Sequence, residues 1–356
     1  MPNLPLFELT RGRIIESVHY GSIAVVDAHG TLLASHGDPQ TVAFLRSSGK
    51  PFQALPFVER GGVEHFGLTP RELALACASH EGSALHVETV AGMQKKIGIE
   101  ENHLQCGVHM PADVAMLKSL ITQARQPTAN GNNCSGKHTA MLACAKMRGL
   151  PLENYLEIDH PVQQEILTAF ADMCGIERGQ VELGVDGCSA PNFAVPLYNA
   201  ALGLARLCDP RGLPGKRGAA CRQITSAMTA HPEMISGFGE FDCELMKAGA
   251  GRIICKRGAE GYQAIGLLPG ALGPDSPGVG IAFKVTDGDA SRLSFDLETV
   301  CRVRPAVTLE VLHQLGALAP AQLQALSAFG PVKPILNLRK LVIGESRPVF
   351  KLSGTA

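Results

Sequence analysis

The hydroxyl of Ser47 and the amine of Lys50 stand three positions apart in the stretch Arg46–Pro56, RSSGKPFQALP. A serine hydroxyl is a weak nucleophile at neutral pH, and an amine can activate it only if burial or neighbouring cations hold that amine partly neutral. Pro51 places the pair. Proline is tolerated in a first helical turn, so a helix is expected to start here with Ser47 or Ser48 as its cap and Lys50 on the same face as Ser47. The helix N-terminus would favour a forming alkoxide. Pro56 is expected to kink or shorten this helix before Gly61 and Gly62 end it. Taken alone, SxxK reads more simply as an ordinary cap followed by a solvated lysine, and the pair gains weight only from other segments.

One such segment is Ala78–Ser83, ASHEGS, directly after an apolar helical run. Ser79 is suited to passing a proton between Lys50 and a leaving group, the alternative being a cap for the next helix, where Ser83 is better placed. A second lysine, Lys256, ends the apolar run Ile253–Cys255 and precedes Arg257–Gly261. A strand-borne lysine before a glycine resembles the third element of penicillin-recognising SxxK enzymes, although a tight turn alone accounts for these glycines. The loop Asn130–His138, NGNNCSGKH, nearly matches a phosphate-binding loop. His138 stands where Ser or Thr would hold magnesium and no strand precedes the loop, so nucleotide binding there is rejected. Val181–Val185 is expected to be a short strand delivering Asp186–Pro191, DGCSAP. Cys134 and Cys188 can supply two thiolates to zinc, with Lys137 or His138 as third ligand. Residue chemistry favours His138, lysine being a rare zinc ligand, and unrelated buried thiols are the alternative.

The elements that must position these groups follow from periodicity. Alternation from Ile14 to Val26, a turn at Asp27–Gly30 and the run Thr31–Ala34 predict an antiparallel hairpin. A second β region spans Arg252–Leu268 and Val279–Val285. Between them the spacing predicts helices at Arg71–Ala78, Leu85–Ile97, Pro111–Gln126, His138–Arg148 and Pro161–Cys174. Strands near both ends with helices between predict one α/β sheet domain built from 1–70 and 200–356, with 71–199 a mainly helical region carrying the proposed metal loops. Leu309–Ala328 should form two short helices broken at Gly316 and Pro320.

Composition bounds the function classes. The 356 residues are 45% hydrophobic and 18% charged, with a net charge of -1. That balance lies far from disorder and offers neither nucleic acid nor an anionic membrane a basic face. No stretch approaches the length of a membrane span, and Met1–Glu8 lacks the basic start and apolar run of a secretory signal, so a cytoplasmic protein is expected. Eleven cysteines without a framework spacing, from Cys77 to Cys301, are expected to be reduced.

Together the segments RSSGKPFQALP, ASHEGS, CGVHMP (Cys106–Pro111), NNCSGKHTAML (Asn132–Leu142), DHPVQ (Asp159–Gln163), DGCSAPNFAVPL (Asp186–Leu197) and KRGAEG (Lys256–Gly261) resemble the rhizobial-type L-asparaginases, in collinear order. That family is distinct from the asparaginases with threonine nucleophiles, whose TGGT segment has no counterpart in the first fifty residues. The resemblance implies a serine β-lactamase/glutaminase-like fold: a largely antiparallel sheet flanked by helices, with a helical insert. It also implies hydrolysis of L-asparagine with Ser47 as nucleophile, Lys50 and Ser79 activating it, Lys256 supporting the site and Asp186 holding the substrate's head group. It implies one zinc per subunit on Cys134, Lys137 and Cys188, which leaves His138 as a neighbour on the substrate side that tunes the site. A homodimer is implied as well. Three rival readings stand beside this one: a cysteine amidase using Cys134, His138 and Asp186, a zinc-dependent amino-acid-binding protein without catalysis, and a penicillin-binding enzyme, the last disfavoured by the missing export signal.

Overall fold

Strand β1 (Leu4–Arg11) turns at Gly12 into β2 (Ile14–Asp27), a long strand whose second half is wholly buried. That half carries Ile23, Ala24, Val25 and Val26 without a break, the pattern of a strand covered on both faces. The predicted hairpin partner is β3 (Leu32–His36), antiparallel to β2. The other β region also forms as expected: β7 (Ile253–Arg257), β8 (Tyr262–Leu267) and β9 (Val279–Val285) pair antiparallel, and β9 pairs with β2 from Val285 opposite Gly21 to Val279 opposite Asp27. The computed structural model describes residues 3–289, 292–293, 299–300 and 302–354. Cys301 lies outside the described residues.

Two further strands, β12 (Lys333–Leu336) and β13 (Val342–Pro348), complete an eight-stranded antiparallel sheet of order β12-β13-β1-β2-β9-β8-β7, with β3 beside β2. A second sheet of three strands holds β4 (Val42–Phe44), β5 (Glu182–Val185) and β6 (Pro191–Pro196), with β6 central. The short pair β10 (Arg292–Leu293) and β11 (Thr299–Val300) stands apart. The α/β class with a largely antiparallel sheet is therefore observed.

Helices cover the main sheet. Leu197–Cys208 packs on β2, β8 and β9, and Val303–Gln314 packs on β1, β8 and β13. The helical part gathers Lys50–Glu59, Pro70–Ala76, Ala84–Ile97, Ser135–Met147, Pro161–Cys174 and Gly215–Ala230. Lys50–Glu59 is buried from Lys50 to Val58. Its Phe52 meets the Phe170 ring edge-on at 5.6 Å, and Phe170 stacks on Phe193 of β6 at 4.9 Å. Each such pair is worth about 0.5–1.5 kcal/mol beyond the area it buries, so the chain of rings fixes this helix against the small sheet. The ten described cysteines are all buried and unbridged. Among the described residues, no helix is long and apolar enough to cross a membrane.

Candidate active site

The chain enters the site from β4. Leu45 donates its amide to the Phe193 carbonyl of β6, and a 3-10 turn, Arg46–Gly49, then runs into the helix beginning at Lys50. The expected cap, Ser47 or Ser48, is not formed: Gly49 is the N-cap and no side chain serves. Ser48 instead donates its hydroxyl to the Lys256 carbonyl at 2.7 Å, stitching the turn to β7. Gly258 permits this approach, since a Cβ there would lie 2.5 Å from the Leu45 carbonyl oxygen. Ser47 is half-buried, and no hydrogen-bond partner of its hydroxyl is found among the described residues.

Lys50 does not point into solvent. Its side chain is buried, and Nζ donates to the Ala78 carbonyl, to Ser79 Oγ at 2.8 Å and to the Asn133 carbonyl at 3.2 Å. Lys256, also buried, reaches the same Ser79 Oγ at 2.9 Å and the Arg257 carbonyl at 3.0 Å. Ser79 thus sits between two lysines and caps nothing. Its own segment is held by hydrogen bonds from the Ser79 amide to the Ile235 carbonyl and from the Glu81 amide to the Ser236 carbonyl, both 2.9 Å. Burial lowers the Lys50 ammonium below the usual lysine range, with Cys134 opposing. Lys256 falls further, by burial first and by the neighbouring Lys50 charge second. A hydroxyl has one proton and two lone pairs. Two ammonium groups donating to Ser79 fill both lone pairs and leave its proton to be given onward, whereas a neutral amine on either side receives that proton. The arrangement can therefore carry a proton between the two lysines.

The second half of the site begins at Asn132, whose side chain donates to the Cys106 carbonyl (2.9 Å) and the Gly107 carbonyl (3.1 Å) and accepts from the Cys134 amide at 2.8 Å. This fixes Cys134 at the mouth of the helix Ser135–Met147. Gly136 lets that helix press onto Pro70–Ala76, because a Cβ would stand 2.3 Å from the Leu75 carbonyl oxygen. The Cys134 and Cys188 thiols are near enough to influence each other, and Lys137 Nζ lies 3.0 Å from Cys188 Sγ. Hydrogen bonding from Cys188, aided by Lys50 and Lys137, holds the Cys134 thiol well below its usual value, while the Cys188 thiol is raised by the same contact and by burial. Burial pulls Lys137 down, but Cys134 and Cys188 together raise it. Asp186, at the end of β5, accepts from Arg46 Nε at 2.7 Å and from the Gly187 amide at 2.9 Å. Burial opposes its ionisation, yet Lys137 and Arg46 keep the carboxylate below the usual range.

Cys134, Lys137 and Cys188 are thus buried close together, and two sulfurs with one amine are donors that zinc accepts. Among the described residues no group of three or more His, Cys, Asp and Glu side chains forms a metal site. A zinc ion here would depend on the lysine. His138 is buried with Nδ1 2.6 Å from the Tyr155 hydroxyl, and its Nε2 has no partner among the described residues. Burial keeps this imidazole neutral.

The two halves share a wall at Asn133, whose carbonyl accepts from Lys50 and whose side-chain oxygen lies 3.2 Å from Cys134 Sγ. Ser79, Lys50 and Lys256 come together, as do Cys134, Lys137, Cys188 and Asp186. His138 is turned toward Tyr155. Sequence reasoning missed Arg46, Asn133 and Tyr155. Arg46 lies beside the nucleophile candidate inside a motif already singled out, which was the available signal.

Among solved structures, the chain is similar to a probable glutaminase from Bacillus subtilis complexed with 6-diazo-5-oxo-L-norleucine, with 11% identity over 84% of each chain and a TM-score of 0.38. It is also similar to a Bacillus glutaminase solved in 4.3 M NaCl, with 13% identity over 84% of this chain and 91% of the other and a TM-score of 0.35. Likeness at those scores assigns nothing by itself. No curated protein sequence is significantly similar to the chain. The sequence model of the L-asparaginase II family, by contrast, matches residues 7–348, and on that match across nearly the whole chain the protein belongs to the L-asparaginase II family and is an amidohydrolase.

Proposed function

We propose that the protein hydrolyses the side-chain amide of L-asparagine to L-aspartate and ammonia, with Ser47 as nucleophile. The observation that carries this reading is the Ser79 hydroxyl held at 2.8 and 2.9 Å between the buried amines of Lys50 and Lys256, beside the turn that presents Ser47. Ser47 Oγ attacks the carboxamide carbon, its proton passes to the Lys50 amine, and Ser79 connects that amine to Lys256 as a reserve of proton capacity. The protonated amine delivers the proton to the departing nitrogen as the C–N bond breaks, leaving an aspartyl ester on Ser47. Water then attacks the ester with the same amine as base, releasing aspartate. Backbone amides of the turn, including that of Ser47, are the candidate oxyanion donors.

Asp186 suits the α-ammonium of the substrate, and Arg46, partly exposed beside it, offers the positive complement for the α-carboxylate. Cys134, Lys137 and Cys188 would hold one zinc ion per subunit, supplying a Lewis-acidic position that orients a polar group of the substrate. A cytoplasmic homodimer belongs to the same proposal; the buried, unbridged thiols support a reducing compartment.

A cysteine nucleophile at Cys134 is the second reading, favoured by the lowered thiol. Its proposed base, His138, has Nδ1 against Tyr155 and makes no side-chain hydrogen bond to the Cys134 thiol among the described residues, so the pair that this reading needs is not formed. Ammonia release assayed across asparagine, glutamine and a β-lactam, with Ser47→Ala as control, tests the proposal. Release from asparagine that Ser47→Ala abolishes is expected; turnover by Ser47→Ala at the wild-type rate would overturn it.

A further inference from the structure

The two helices that begin at the site end together at a cleft. Lys50–Glu59 runs from Lys50 to its C-cap Arg60, and Ser135–Met147 runs from beside Cys134 to its C-cap Arg148. Beyond these ends, against Pro161–Cys174 and Gly215–Ala230, lies a cleft of about 760 Å³, a size typical of small-molecule sites. Its lining carries five cations, Arg60, Arg148, Arg178, Lys216 and Arg217, against two carboxylates, Glu59 and Glu165.

An ion-pair network that merely fastens helices needs no such excess. Glu165 is shared by Arg60, at 2.9 Å from Nε, and Arg148, at 3.1 Å, while Glu59 is taken by Arg217. Among the described residues Arg178 holds only the Gln164 amide oxygen. Among the described residues Lys216, which is exposed, has no partner, and the buried Arg148 Nη1 has no hydrogen-bond partner. Asp172, at the exposed rim 3.9 Å from Arg217, offsets one further charge. A net excess of two positive charges is therefore left in a concave surface of a chain whose net charge is -1. Concave clefts focus such a field, and guanidinium forks match the paired oxygens of phosphoryl groups.

We propose that this cleft binds a compact multivalent phosphate, the oligophosphate chain of a nucleoside triphosphate or of inorganic polyphosphate. It is separate from the loop Asn130–His138 rejected above as a phosphate loop. Three phosphoryl groups place several negative charges within the span of the five cations, a density that a single carboxylate does not reach. The ligand oxygens take up Lys216 and Arg178 and compete with Glu165 for Arg60 and Arg148.

Calorimetric titration of the full chain with inorganic triphosphate, and separately with ATP, in about 100 mM salt tests this. Saturable one-to-one binding in the micromolar to submillimolar range is expected, with sulfate at matched ionic strength failing to compete. The double variant Arg178→Glu with Lys216→Glu weakens binding by about tenfold or more, while Glu165→Gln, which removes a competing carboxylate, tightens it several-fold. Asparagine turnover is unchanged in both. Equal affinity for the two probes shows that the phosphate chain alone is read, and tighter ATP binding shows that the nucleotide is the occupant. Absence of saturable binding by either probe up to several millimolar, or equal affinity in wild type and both variants, would overturn the proposal.

Discussion

Replacing Lys256 with methionine should stabilise the protein while destroying its activity. Two amines at 2.8 and 2.9 Å from one hydroxyl oxygen stand roughly 4.7 Å apart if the oxygen is tetrahedral, so at an effective dielectric of about 20 two ammonium charges there repel by ~3.5 kcal/mol. Desolvating the Lys256 ammonium adds a penalty of several kcal/mol. Against these stand two charge-assisted hydrogen bonds, to Ser79 and the Arg257 carbonyl, worth about 1.5–3 kcal/mol each, and the attraction of the buried Asp242 carboxylate. The balance favours Lys256→Met by about 1–3 kcal/mol, which for a chain of this length is about 1–4 °C in Tm. The sign with pH follows from linkage. The folded-state pKa of Lys256 lies well below its ordinary value, so between the two values the unfolded chain binds the extra proton and wild-type stability rises with pH. The advantage of the variant is therefore largest below the folded pKa and shrinks as pH climbs toward the ordinary lysine value. Calorimetric melting across that range, paired with ammonia release, reads both effects. A variant less stable than wild type at every pH, or a gap that does not change with pH, would refute the reasoning.

Cys134→Ala should lower bound zinc, measured by mass spectrometry of metal content, and raise KM for asparagine while leaving some turnover; complete loss with zinc retained points to the thiol mechanism instead. Gly136→Ala drives a Cβ to 2.3 Å from the Leu75 carbonyl oxygen and should cost about 1–3 kcal/mol, seen as a fall in Tm, so an unchanged Tm contradicts the packing described. Glu81 is pushed up to about 7, chiefly by burial and then by Asp113 and Glu240, with Arg257 opposing. Its raised pKa contributes stability that is present at low pH and lost as pH rises through about 7. Glu81→Gln should therefore gain on wild type in thermal melts from about pH 5 to pH 8, and parallel curves would count against it.

Much of the site was legible because its signals are local. Lys50 and Ser79 announce themselves by type and spacing beside Pro51 and a helix end, and Lys256 by an apolar strand running into a glycine turn. Arg46 was not, because its meaning depends on Asp186, brought to it by β4 and β5 on either side of β6. Ser48 misled: a serine before a helix reads as a cap, and only the approach of β7 gives its hydroxyl a better acceptor. Among the elements, β7, β8 and β9 were found by their apolar runs. Strands β1, β12 and β13 were missed, since each is recognised only by its neighbours and prolines such as Pro334 break the pattern. The helix Leu197–Cys208 is buried along most of its length, and Asn199 and Arg206, seven residues apart on one face, are too sparse a polar stripe to have marked it. The helix at Val303 starts six residues before the expected Leu309, because Pro305 in its first turn reads as a breaker yet is tolerated there.

The covalent intermediate decides the central claim. Acid quenching during turnover of L-asparagine, followed by peptide mapping, should find one aspartyl group esterified to Ser47 and none in the Ser47→Ala protein. An aspartyl thioester on Cys134, or turnover by wild type with no acyl group on Ser47 under conditions that trap one, would contradict the account.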